Sequence, residues 1–157
     1  MSQKIDLTTA PSAEGSLYPS PFDMPCRARR RIKLGDAAGL TQFGANLCTL
    51  VPGAWSSQRH WHTKGDELIY VVFGEVVLVT DEGEETLRAG DSAGFRAGDR
   101  NGHHFQNRSA SDAVILEIGT RVEGDEAFYP DIDLRTVAGQ GYAHRDGTPY
   151  PQEKRRG

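Results

Sequence analysis

Three histidines and one glutamate have the types and the spacing of a metal site. His60 and His62 are one residue apart, Glu67 follows a short polar turn, and His103 comes much later. Side chains alternate between the two faces of a strand, so His60 and His62 would point to the same side. Imidazole and carboxylate donors together suit a first-row divalent ion. The pattern predicts one divalent metal ion per chain, which could be zinc, manganese, iron or nickel.

The segment from residue 29 to residue 121 has the pattern of many short β-strands. Runs rich in Val, Ile, Leu, Thr and aromatic residues alternate with turn residues, and no window shows sustained helical periodicity. We expect strands near 29–34, 42–50, 56–62, 67–73, 75–80, 85–88, 92–95, 103–107 and 113–121. This spacing predicts an all-β sandwich, jelly roll or small barrel. A barrel would bring ligands from separate strands to one interior point.

The two ends of the chain differ from this central domain. Residues 1–28 are rich in proline, glycine and serine, which predicts an extended N-terminal arm. Residues 122–157 are predicted to form a loosely structured C-terminal extension that packs on the barrel, because its aromatic residues need cover. Exposed strand edges and loose arms are usually covered by a partner, so we expect a homodimer.

Composition narrows the possible partners. The chain has 157 residues and a formal net charge of −4, which fits one mildly acidic domain and argues against general nucleic-acid binding. No apolar stretch approaches the roughly 20 residues that span a bilayer, and the N-terminus lacks the apolar core of a signal peptide. Cys26 and Cys48 fit no zinc spacing. We therefore expect a cytoplasmic protein with free thiols and a small-molecule ligand, without nucleic-acid or membrane partners.

Two groups of residues resemble the paired motifs of the cupin superfamily. The first group comprises Gly53, His60-Trp61-His62, Glu67 and Gly74, and the second comprises Gly90, Gly98, His103 and Asn107. The gap after Gly53 is one residue longer than in the usual motif. Arg96 stands where the second motif has proline, and two extra residues separate Gly98 from His103. None of these departures removes a ligand.

The resemblance implies a fold and a ligand set. The fold would be a double-stranded β-helix, the jelly-roll barrel of cupins. His60, His62, Glu67 and His103 would be the metal ligands. The stretch around His60 and the segment 129–134 are similar to cupins of a sugar-phosphate isomerase-like group.

An isomerase of this kind needs a general base near the metal and a cationic clamp for phosphate. Glu117 is the candidate base, and alternation predicts that Gln58 faces the ligands, so both are candidate catalytic residues. The candidates for the clamp are Arg96, Arg100 and Arg121. Two alternatives stay open from the sequence. The same ligands would serve an iron-dependent dioxygenase, or a cupin that binds or senses a small molecule without turnover.

Overall fold

The protein is almost entirely built from β-strands. A computed structural model describes residues 3–152 and 154–157. The strands of this part of the chain are β1 (Ser12–Glu14), β2 (Arg29–Lys33), β3 (Phe43–Leu50), β4 (Trp61–His62), β5 (Glu67–Phe73), β6 (Glu75–Thr80), β7 (Gly83–Arg88), β8 (Ser92–Phe95), β9 (His104–Gln106), β10 (Ala113–Thr120), β11 (Ala127–Tyr129), β12 (Leu134–Val137) and β13 (Gly141–Ala143). A 3₁₀ turn (Met24–Cys26) and a single helical turn α1 (Leu34–Ala37) complete the secondary structure of these residues. None of the helices in the described ranges has the length and apolar character to cross a membrane.

Two sheets face each other and form the jelly roll. The larger has the strand order β1-β2-β3-β10-β5-β8, and the smaller has the order β7-β6-β9. All their strand pairs are antiparallel. Apolar side chains on the inner faces interdigitate, as expected for packed sheets. The core that they form contains Cys48, Leu50, Ala54, Ile69, Val71, Val76, Leu78, Leu87, Phe105, Ala113 and Ile115.

The register of the larger sheet determines which polar side chains face the interior. Arg31 is paired with the buried Cys48, and Glu117 is paired with Ile69, which also faces the core. Side chains at paired positions lie on the same face of a sheet. Arg31 and Glu117 therefore point into the barrel, although both are charged.

The C-terminal segment is more ordered than the sequence indicates. Strands β11, β12 and β13 form an antiparallel sheet that continues through β4, with the order β13-β12-β11-β4. This sheet covers a second apolar cluster, in which Tyr129 and Leu134 pack with Tyr18 and Cys26 of the N-terminal arm. The arm and the C-terminal segment are ordered because each buries the other's apolar side chains.

The strand expected at 56–62 is much shorter than predicted, since only Trp61–His62 forms a strand. The preceding residues make isolated backbone bonds instead: the Trp55 amide donates to the Pro25 carbonyl in the 3₁₀ turn, and the Ser56 amide donates to the Phe105 carbonyl in β9. The other expected strands in 29–121 are present within two residues at each end. Cys26 and Cys48 are free and buried, and burial raises their pKa values to about 11 and about 12.

Candidate metal centre

The structure brings the four predicted ligands together at one end of the barrel. His60, His62 and Glu67 offer donor atoms that all lie within 4.8 Å of one another. Oε1 of Glu67 is 3.3 Å from Nε2 of His62, and Oε2 is 3.6 Å from Nε2 of His60. Nε2 of His103 lies 2.6 Å from the same Oε2. Three imidazole nitrogens thus surround one carboxylate.

Each ligand is positioned by backbone pairing. His60 and His103 face each other across an isolated bridge, in which each amide donates to the other's carbonyl at 3.1 and 2.9 Å. His62 ends β4, and Glu67 begins β5 on the inner face, paired with Phe95 of β8 and Gly119 of β10. The ligands therefore come from separate segments, as the barrel hypothesis requires.

Hydrogen bonds at the far side of two rings decide their tautomers. Nδ1 of His60 lies 2.9 Å from the Gln58 carbonyl oxygen, and Nδ1 of His62 lies 2.7 Å from Oδ2 of Asp125. Both oxygens can only accept a hydrogen bond, so Nδ1 must carry the proton. In the neutral ring Nε2 then offers its lone pair toward Glu67, which is the arrangement that metal-ligating histidines adopt.

Two buried polar atoms in the cluster lack hydrogen-bond partners among the described residues. They are Nδ1 of His103 and Oε2 of Glu67, whose 2.6 Å contact with Nε2 of His103 lacks the alignment of a hydrogen bond. Buried polar atoms normally have partners, so an unsatisfied carboxylate oxygen amid imidazoles needs an explanation. A divalent cation would satisfy Oε2 and the Nε2 lone pairs together. The ring of His103 is held by stacking on Phe95, with ring centroids 3.6 Å apart. The donor set fits a first-row divalent ion.

The protonation equilibria of the cluster follow from burial and mutual contact. Burial disfavours the charged form of Glu67, but His103, His60 and His62 outweigh burial and hold its pKa well below the usual range. Burial lowers the pKa of His103. For His62, burial is outweighed by Glu67 and Asp125, which raise its pKa. The carboxylate is thus kept ionised, which is the form that binds a cation.

Asp125 supports the cluster, and our sequence analysis missed it. Besides His62, it accepts hydrogen bonds from the backbone amides of Lys64 and Gly65 at 2.8 and 3.1 Å. It therefore fixes the turn between His62 and Glu67. Gly65 permits this approach, because a Cβ there would lie 3.0 Å from Oδ2 of Asp125. The available signal was the turn at 124–126, but nothing local related that turn to His62.

The two predicted catalytic residues lie in different surroundings. Glu117 forms a two-pronged ion pair with Arg31, with N–O distances of 2.6 and 2.9 Å, on the inner face one row from Glu67. Gln58 is buried, and its amide donates to the Phe22 carbonyl of the arm at 2.8 Å. Glu117 thus lies beside the cluster, whereas the Gln58 side chain holds the arm.

Two of the three arginines expected to clamp phosphate, Arg96 and Arg121, line cavities beside the cluster. Arg121 pairs with Asp36 at 2.5 Å, and Arg100 lies over the ring of Trp61. Arg121 lines an outer cavity of about 310 Å³ together with His62, Glu67 and Glu117. Arg96 lines a separate outer cavity of about 300 Å³ that also includes His62, Glu67 and His103. The metal cluster is therefore reached from more than one side.

Comparison with known proteins agrees with this architecture. A family model described as a cupin domain matches residues 46–119. Comparison with curated proteins gives no match. A solved structure of a sugar phosphate isomerase from a cupin superfamily, from Silicibacter pomeroyi, is 43% identical, with a TM-score of 0.88, covering 94% of this chain and 96% of that chain.

Two further solved structures are more distant. A candidate sugar phosphate isomerase from Acidithiobacillus ferrooxidans is 26% identical, with a TM-score of 0.74, covering 90% of this chain and 91% of that chain. The polyketide cyclase RemF from Streptomyces resistomycificus is 18% identical, with a TM-score of 0.58 and coverage of 76% and 80%, and it shares the fold alone. The barrel, the motifs and the 43% identical relative together establish the family: this chain belongs to the cupin superfamily.

Proposed function

We propose that the protein is a metal-dependent enzyme that isomerises a small sugar phosphate. One observation carries the metal dependence: the Nε2 atoms of three histidines, His60, His62 and His103, all lie within 3.6 Å of the oxygens of one partly buried carboxylate, that of Glu67. The substrate class is supported by the 43% identical relative, which is called a sugar phosphate isomerase.

His60, His62, Glu67 and His103 are the proposed ligands. A divalent ion held there would act as a Lewis acid toward the oxygen of a substrate carbonyl. Asp125 and the Gln58 carbonyl keep the Nδ1 protons of His62 and His60 away from the cluster. Gln58, expected to be catalytic, is thus proposed to position His60 through its backbone, while its amide holds the arm.

Glu117 is the proposed general base. Its carboxylate faces the cavity beside Glu67, where it could accept the proton from the carbon next to the substrate carbonyl and return it to the neighbouring carbon. Arg31 fixes both carboxylate oxygens, so that the base is held in one orientation. A fixed base is effective because the entropy of positioning it is lost on folding and not during the reaction.

The test uses metal-loaded protein and a panel of aldose and ketose phosphates in deuterated water. Isomerisation through proton transfer should place deuterium on the substrate carbon, which proton NMR detects. Glu117→Gln should abolish turnover and keep the metal. The matched control is Glu126→Gln, because Glu126 also pairs with a partly buried arginine, Arg135, but lies outside the cavities around the cluster. Full turnover in Glu117→Gln would contradict the assigned base.

The competing functions have distinct signatures. A ferrous preparation that consumes oxygen with an added substrate, and leaves every sugar phosphate unchanged, would replace the isomerase proposal with a dioxygenase. Saturable ligand binding without turnover under any metal would indicate a binding or sensing cupin. Absence of metal after supplementation, measured by elemental analysis, would reject all the metal-dependent functions.

We also propose a homodimer formed through the outer face of the larger sheet. Ile32, Leu47, Leu116 and Tyr70 form a continuous row across β2, β3, β10 and β5. The two ends of this row are serines, Ser12 on β1 and Ser92 on β8. An apolar centre with a polar rim is typical of protein interfaces, and two-fold dimers are the commonest oligomers.

Exposed side chains extend this apolar row along β5. Leu68, Tyr70 and Val72 are 45%, 42% and 46% exposed. Tyr70→Lys should yield monomers in sedimentation, because a lysine at the centre of the interface would have to be desolvated. Met24→Lys is the control, since Met24 is 61% exposed on the arm. A wild-type monomer would contradict the dimer. The cytoplasmic location stays a prediction.

A further inference from the structure

A second cavity adjoins the Arg31–Glu117 ion pair. It measures about 180 Å³ and shares Arg31, Glu67 and Glu117 with the outer cavity of about 310 Å³. Its lining comprises Tyr18, Arg29, Arg31, Ser56, Ser57, His60, Glu67, Ile69, His103, Phe105, Glu117 and Tyr142. We call it the inner cavity. It adjoins the metal ligands and is closed partly by the arm, through Tyr18, and partly by the C-terminal sheet, through Tyr142.

The inner cavity contains a buried arginine, Arg29, that pairs with no carboxylate of the described residues. Arg29 is only 7% exposed, and its guanidinium donates to the backbone carbonyls of Gly15 and Ser56. Within the described part of the chain no carboxylate forms an ion pair with it. Buried charges are normally paired, because an unpaired charge loses its hydration without compensation. Arg29 is therefore held by neutral groups, two carbonyls and the ring of Tyr18, and its charge is available to an added anion.

Two further arginines, Arg31 and Arg155, lie close to Arg29. Arg31 is paired with Glu117, which is the one cavity carboxylate outside the metal cluster among the described residues. Arg155 donates to the Gly15 carbonyl, the same oxygen that accepts from Arg29. Burial lowers the pKa of Arg155, and the proximity of Arg29 and Arg31 lowers it further. Three guanidinium groups thus lie close together, and Glu117, the one nearby carboxylate outside the metal cluster among the described residues, is already paired with Arg31.

The cavity also offers unused hydrogen-bond donors. Nη2 of Arg29 and Nη1 of Arg31 donate to no group in the described chain, since the bonds of these side chains come from their other nitrogens. Tyr142 also lines this cavity, and its hydroxyl group is a further potential donor. Guanidinium and hydroxyl donors around a small space form a site for an oxyanion. The volume corresponds to roughly six water molecules, which leaves room for such a group.

We propose that the inner cavity binds an oxyanion group of the substrate, a phosphate or a carboxylate, between Arg29, Arg31 and Tyr142. The proposal rests on the proposed function, because the reacting end of the same substrate would lie at the metal cluster in the outer cavity. The Arg31–Glu117 pair then lies between the two ends of the substrate. The anion clamp belongs to β2 and β13, and Arg96, Arg100 and Arg121 have no part in it.

Anion binding to the full-length protein tests this assignment. Calorimetric titrations with inorganic phosphate and with acetate show which of the two anion classes binds. Repeating each titration after chelator treatment excludes binding of the anion to a metal. Glu117→Gln removes the competing negative charge, and we expect it to tighten anion binding by about tenfold. Tyr142→Phe removes one neutral donor and should weaken binding by about fivefold. Arg121 is a cation of the outer cavity, so Arg121→Gln should leave anion binding within about twofold of wild type.

The outcomes are chosen to separate this proposal from the metal-dependent function. If neither anion binds to the chelated wild type or to Glu117→Gln, the inner subsite is wrong, whatever the metal content. The inner subsite is also wrong if Glu117→Gln binds the anion more weakly than wild type does, or if Arg121→Gln and Tyr142→Phe lose equal amounts of anion affinity. Arg29→Gln should abolish binding; if that variant does not fold, the other two variants still decide. A protein that binds phosphate but no metal would instead refute the proposed function.

Discussion

Replacement of Asp125 by asparagine should weaken metal binding while the fold persists. Asp125 Oδ2 lies 2.7 Å from Nδ1 of His62, so the carboxylate holds the proton on that nitrogen. In Asp125→Asn, the amide oxygen can still accept from the backbone amides of Lys64 and Gly65, as Oδ1 does now. The amide nitrogen then faces His62 and can only donate. The ring must move its proton to Nε2, the atom needed for the metal, or lose its hydrogen bond.

The size of the effect follows from the role of this contact. Loss of the hydrogen bond that orients a ligating histidine typically costs about 10–100-fold in metal affinity, or about 1.4–2.8 kcal/mol. The Asp125 side chain is 18% exposed, so solvent screens the contact only partly. Bound metal stabilises the folded state in proportion to the logarithm of its affinity. At a fixed excess of metal, the free energy of unfolding should fall by about the same amount.

A competition titration with a coloured chelator measures the affinity directly. The control is Asp133→Asn, because Asp133 makes the same pair of contacts at the surface. It lies 2.7 Å from Nδ1 of His144 and accepts from the Arg145 amide at 2.7 Å. Asp133→Asn should bind metal as wild type does. A folded Asp125→Asn variant with affinity within about twofold of wild type would refute the claim that Asp125 sets the His62 tautomer.

Three further predictions concern the metal and the pH dependence of stability. His103→Ala should lose the metal in elemental analysis, whereas His144→Ala, at a surface position outside the cluster, should keep it. Chelator treatment should lower the Tm of wild type and leave that of His103→Ala unchanged, because only bound metal stabilises the folded state by mass action. Burial lowers the pKa of His104 to about 4 from its usual 6.5, so the unfolded chain binds the proton more readily. This difference for His104 should therefore lower the free energy of unfolding by about 3 kcal/mol as pH drops from 6.5 to 4. Urea unfolding of the chelated His104→Gln variant should show a shallower fall with pH than chelated wild type. Equal slopes in the two proteins would contradict this.

Local rules account for the ligands that sequence analysis identified. Alternation along a strand relates His60 to His62, and a short turn limits how far Glu67 can lie from them. The motif pattern adds His103, and the structure brings all four together. Strand positions were predictable for the same reason, because turn residues and apolar runs act over a few neighbours. The prediction was wrong at 56–60, where the Ser56 amide donates to Phe105 of β9 and His60 forms an isolated bridge with His103, without a continuous strand.

The groups around the ligands depended on distant segments. The 122–157 region looked loosely structured, because its short apolar runs predict no strand by themselves, yet it forms three strands against β4 and the arm. That packing brings Asp125 to His62 across 63 positions of sequence. The interior direction of Arg31 follows from its pairing with Cys48, which no local pattern reveals.

The sequence by itself indicated a β-barrel and brought forward His60, His62 and Glu67 as candidate metal ligands through side-chain alternation and a short turn, and the cupin motif pattern added His103. Tertiary structure alone decided which groups orient those ligands and where the cationic interior lies. Asp125 and Tyr142 reach the site because apolar burial folds the C-terminal segment onto the barrel, whereas Arg29 faces the interior through the pairing of β2 with β3.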